Sequence, residues 1–77
     1  GFRQVVFLFN QDKELFQVDL VPARGIDQAV IRDKLGEPSQ QKQSANGVVV
    51  WYYKRQQLAY YFKPGTTQAY HVRHKAF

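Results

Sequence analysis

Cysteine is missing from this chain of 77 residues. Its absence excludes a disulfide staple, a thiolate zinc or iron–sulfur site and a cysteine nucleophile together. Long apolar runs are missing too: the longest, Val48 to Tyr53, falls far short of the roughly 20 residues that a membrane span needs. No signal peptide or lipid-anchor cysteine is visible, and such a segment would belong upstream of Gly1. Carboxylates disappear after residue 37: Asp12, Glu14, Asp19, Asp27, Asp33 and Glu37 are all of them, so the first 37 residues carry a net −1 and the remainder +6. That basic half (Lys42, Lys54, Arg55, Lys63, Arg73 and Lys75) has no acidic residue of its own to neutralise it, which suits an anionic partner or a solvated face.

Aromatic residues are plentiful. Six Phe, five Tyr and one Trp make 16% of the chain, enough large side chains for the core of one small domain spanning residues 1–77. Residues 3–21 read as a strand pair around the polar turn Asn10-Gln11-Asp12-Lys13, and Phe16, Val18 and Leu20 alternate with Gln17 and Asp19 to give one buried and one wet face. Residues 27–35 read as a helix. Asp27 is the N-cap, Ile26 and Ile31 occupy the hydrophobic-staple positions, Leu35 shares a face with Ile31, Gly36 takes the terminating position and Pro38 forbids continuation. Ser39 to Gly47 reads as a polar loop. Residues 48–73 form a three-stranded meander joined by Lys54-Arg55-Gln56-Gln57 and by the turn at Pro64-Gly65-Thr66. The expected fold is therefore α+β, one short helix packed on a five-stranded antiparallel sheet in the order ββαβββ.

Pairing Tyr53 with Leu58 sets Trp51 against Tyr60 and Val49 against Phe62 on the helix side. Val50, Tyr52 and Tyr61 then lie on the second face, flanked by Lys54 and Lys63. With Arg73 as the nearest further charge, Tyr52, Tyr61, Lys63, Arg73 and Lys54 are the candidate partner contacts.

The stretch Gly25-Ile26-Asp27, Ile31 and Leu35-Gly36-Glu37-Pro38, followed by Trp51 and Tyr53, resembles the signature of the SmpA/BamE family of small bacterial outer-membrane lipoproteins. The resemblance covers roughly residues 25–63. It implies the β-lactamase-inhibitor-protein-like fold and a non-catalytic binding module in the bacterial cell envelope, at the periplasmic face of a membrane, with a protein as partner.

Chemistry of other kinds finds little footing. The carboxylates have simpler roles as cap or surface charges, and Ser39 and Ser44 belong to no nucleophile or phosphate-cradling motif. His71 and His74, three apart on a strand, point to opposite faces and have no neighbouring carboxylate in sequence, so neither a metal nor a cofactor is expected. The interleaving of Trp51, Tyr52 and Tyr53 with Lys54 and Arg55, and of Tyr60, Tyr61 and Phe62 with Lys63, would also suit single-stranded nucleic acid or another anionic polymer, which is the alternative partner class.

Overall fold

A computed structural model describes residues 1–75. Strands β1 (Phe2–Phe9) and β2 (Leu15–Pro22) form the expected hairpin. Its turn is built on Asn10, whose Oδ1 accepts hydrogen bonds from the backbone N–H groups of Asp12 (2.9 Å) and Glu14 (3.0 Å). Then follow β3 (Ile26–Asp27), α1 (Gln28–Leu35), β4 (Gln40–Gln43), β5 (Val49–Tyr53), β6 (Leu58–Phe62) and β7 (Gln68–Lys75). All pairings are antiparallel, and the sheet runs β1-β2-β7-β6-β5-β4, with β3 attached to β7.

Among the described residues the sheet thus has seven strands where five were expected, and the order is βββαββββ in place of ββαβββ. Both extra strands come from segments without an apolar pattern. Strand β4 is Gln40-Gln41-Lys42-Gln43, wholly exposed, and pairs with β5 from Gln40 opposite Tyr52 to Gln43 opposite Val49. As an edge strand it buries no side chain, so nothing in its composition separates it from a loop. Strand β3 is only the two residues that lead into the helix, opposite Gln68 and Ala69 of β7.

The helix forms where its end signals place it. Asp27 has extended backbone and its Oδ1 accepts from Ala29 N–H at 2.9 Å, while Thr67 Oγ1 donates to its other oxygen at 3.3 Å. Gly36 closes the last turn at φ 78° and ψ −159°, a region essentially reserved for glycine, and donates its N–H to Arg32 O. Gly25 serves close approach: a Cβ there would lie 2.7 Å from Cβ of Gln68.

Strand β5 meets β6 in the expected register, with Tyr53 opposite Leu58, Trp51 opposite Tyr60 and Val49 opposite Phe62. Ile31 of the helix is buried with Trp51, Tyr53, Phe62 and Ala69, and Ile26 and Leu35 pack around them. Tyr53 donates its hydroxyl to Gly36 O at 2.9 Å, tying the helix end to β5, and the Arg32 guanidinium lies 4.6 Å over the Trp51 ring. The residues Gly25, Ile26, Asp27, Ile31, Leu35, Gly36, Trp51 and Tyr53 of the signature are accordingly parts of one structural joint between the helix and the sheet.

That joint occupies only half of the sheet. An eight-residue helix is about 12 Å long and about 10 Å across, whereas six strands at about 4.8 Å spacing span some 24 Å. Among the described residues nothing covers the helix side over β1 and β2, and Val5, Phe7, Phe9, Leu15 and Phe16 remain 43–59% exposed.

Candidate functional site

The pleat turns Tyr52 and Tyr61 away from the helix, onto a face that no other element covers among the described residues. The register then brings distant residues into one row. Tyr52 lies opposite Ala59, Ala59 opposite Arg73, and Arg73 opposite Asp19, so β5, β6, β7 and β2 each contribute one position. Ala59 is fully buried in this row between larger neighbours. In the adjacent row Val50 lies opposite Tyr61, and Tyr61 opposite His71.

Asp19 organises the centre. Arg73 Nε donates to its Oδ1 at 2.8 Å, His71 Nε2 lies 3.1 Å from the same oxygen, and Gln17 Nε2 donates to Oδ2 at 2.9 Å. Burial by itself would push the Asp19 carboxyl up, but the hydrogen bonds from Arg73, His71 and Gln17 together hold it down at about 2. The same bond to Asp19 raises Arg73 above its ordinary range. The Arg73 guanidinium sits 5.5 Å over the Tyr61 ring, and Tyr61 meets His71 edge to face at 5.2 Å. Burial raises the Tyr61 hydroxyl, so it stays protonated.

Around this centre the cations sit on rings. Lys42 Nζ is 5.7 Å from the Tyr52 ring, and Lys63 Nζ is 5.3 Å from that of Tyr70. Of the expected contact residues, Tyr52, Tyr61 and Arg73 are thus brought together. Lys63 joins them through Tyr70, and Lys54, exposed in the β5–β6 turn, lies at the opposite end of the hairpin from Lys63.

Two expectations need correction. The basic half is not without a counter-charge, because Asp19 crosses to it and pairs with Arg73. His71 does have a carboxylate neighbour, although among the described residues no three His, Asp or Glu side chains are arranged to hold a metal. Lys42, Tyr70, His71 and Asp19 were not singled out from sequence as members of this face. The alternation that sets Gln17 and Asp19 on one side of β2 and Phe16 on the other was legible. The expected wet and buried faces are nevertheless exchanged at this end of the strand, since Gln17 is buried in the cluster around Asp19 while Phe16 is exposed. The adjacency of β2 to β7, which buries Gln17, was not legible.

These features define a small α+β domain with a tyrosine-rich, basic open sheet face. No protein-family model and no curated protein matches the chain. Among solved structures it is similar to YjgB, a DUF4309-family protein of Bacillus subtilis, with a TM-score of 0.69 and 16% sequence identity over 92% of this chain. The chain spans 55% of that protein's length. At this identity the likeness concerns the fold.

Proposed function

We propose that this chain is a non-catalytic binding module of the bacterial cell envelope, at the periplasmic face of a membrane, which contacts a protein partner through the open face of its sheet. The observation that carries the reading is the set of tyrosine–cation pairs on one uncovered face: Tyr52 with Lys42, Tyr61 with Arg73, and Tyr70 with Lys63. Tyrosine and arginine are the residue types that anchor interfaces, offering a large rigid surface and a hydrogen-bonding tip. Arg73 is already neutralised by Asp19, so the exposed Lys42, Lys54 and Lys63 supply the positive potential, and an acidic patch on the partner is its complement. The envelope location rests on the resemblance of residues 25–63 to the SmpA/BamE signature.

The Asp19–His71 contact has the look of an orienting pair in a catalytic site. Asp19 is, however, shared among Arg73, His71 and Gln17, the pattern of an ion cluster that joins β2 to β7.

The test compares the parent with the Tyr52→Ala/Tyr61→Ala variant in capture of envelope proteins and in anisotropy of labelled single-stranded RNA and DNA. Loss of an aromatic anchor weakens partner affinity by about 2 kcal/mol or more, while Lys42→Ala and Lys63→Ala chiefly slow association. Oligonucleotide binding is expected to be weak and abolished by salt, falling by roughly 0.7 log units per log unit of salt for each phosphate contacted. Micromolar oligonucleotide binding that survives physiological salt would replace this reading with the nucleic-acid one, and capture unchanged in the double variant would move the contact to another face.

A further inference from the structure

The bare half of the helix side is a second surface, on the opposite face from the tyrosines. Phe7 and Phe9 of β1 and Leu15 and Phe16 of β2 stand there at 48–59% exposure, with Val5 next along β1 on the same side as Phe7. The register supports a shared face: Phe7 lies opposite Val18, Phe16 continues the alternation of Val18, and a bulge that skips Phe16 sets Leu15 opposite Phe9. Five large apolar side chains left this open amount to on the order of 500 Å² of surface, at the upper end of what a monomer exposes without a cover.

We propose that the cover is a second copy of this chain, packed hairpin on hairpin about a two-fold axis parallel to the strands. The layer heights agree. A helix on a sheet and a sheet on a sheet both stand about 10 Å above it, so the hairpin of one copy fits beside the helix of the other in a single layer. In this arrangement each copy carries its helix over β5–β7 and receives its neighbour's hairpin over β1–β2. The exposed edge of β1 then abuts the other copy's helix, which removes an eight-residue edge strand whose only charge is Arg3. The other sheet edge needs no such cover, since β4 is short, wholly polar and carries Lys42.

Area and charge support the same occupant. Two such faces bury about 1,000 Å², the threshold for a specific interface, and a two-fold contact is self-complementary by construction. Apart from Asp19, which faces the other side and pairs with Arg73, the hairpin carries Arg3 and Lys13 against Asp12 and Glu14, so two hairpins meet with no net charge. The surplus of positive charge belongs to residues beyond 38; of these, Lys75 borders the patch beside Leu15 and Phe16, with His74 opposite Val18.

Sedimentation velocity of the 77-residue chain from micromolar to hundreds of micromolar concentration tests the proposal. The parent should shift to twice the mass of one chain as concentration rises. The Phe7→Asp/Phe16→Asp variant should stay at the mass of one chain while the near-ultraviolet circular dichroism of buried Trp51 persists. The milder Val5→Ser/Phe9→Ser variant, which adds no charge, should weaken association at least tenfold. Tyr52→Ala/Tyr61→Ala should dimerise as the parent does, which separates this surface from the partner-binding face. A parent that remains one chain in mass throughout, or an aspartate variant that dimerises like the parent, overturns the proposal and leaves the face to a cover of another kind.

Discussion

Asp19 shows how much one side chain can join. It receives Arg73, His71 and Gln17 on its two oxygens, and so it links strands whose partners are more than 50 residues apart in sequence. Because its folded pKa of about 2 lies below the ordinary 3.8, its contribution is complete above about pH 5 and is lost as pH falls through 3.8 towards 2. A shift of that size corresponds to roughly 2 kcal/mol, which screening in a partly exposed cluster reduces to about 1–2 kcal/mol. The Asp19→Asn variant should therefore be less stable than the parent by about 1–2 kcal/mol at pH 7, with the difference closing near pH 2. Urea midpoints taken across this range decide it, and two curves that run parallel at every pH would mean that the cluster contributes no pH-dependent stability.

At the scale of elements, the helix is held by its ends more than by its length. Eight residues are too few to be helical alone, so the cap at Asp27, the stop at Gly36 and the hydroxyl of Tyr53 on Gly36 O locate it on β5–β7. Asp27→Ala should cost about 1 kcal/mol. Gly36→Val should cost more, about 1–3 kcal/mol, and for a purely conformational reason, since a Cβ at residue 36 meets no atom within 4 Å but the backbone angles there exclude a β-branched residue. Urea midpoints equal to the parent's would show that neither end signal holds the helix. The cap, the staple and the stop were all legible in the sequence because each is a short-range rule, complete within one or two turns. The pairing of β5 with β6 was legible for the same reason, as a four-residue turn leaves little freedom in register. Strand β4 was not, because a polar edge strand is defined by the neighbour it pairs with.

Across the whole molecule, burial is lopsided. Phe62 is fully buried under the helix, whereas Phe7, on the same side of the sheet, is 56% exposed. Truncating them should separate the two halves: Phe62→Ala is expected to cost about 3–5 kcal/mol and Phe7→Ala under about 1 kcal/mol, when unfolding is measured at concentrations low enough to keep chains apart. Comparable costs would mean that the hairpin face is packed in solution. With its two open surfaces, tyrosines on one face and bare phenylalanines on the other, the sheet has room for two different contacts at once.

The sequence by itself determined the helix and its two ends, the first hairpin, the register of the central hairpin and the assignment of Tyr52 and Tyr61 to the face away from the helix. Cap chemistry, period-two alternation and tight turns act over a few residues, and each could be read where it stood. Only the tertiary structure decided that β7 inserts between β2 and β6, and with it the meeting of Asp19 and Arg73 across 54 residues of chain. It also decided that the helix reaches only half of its face. A strand's neighbours are chosen by how the whole sheet closes, and cover over a face by how its width compares with the helix above it, quantities that no local pattern contains.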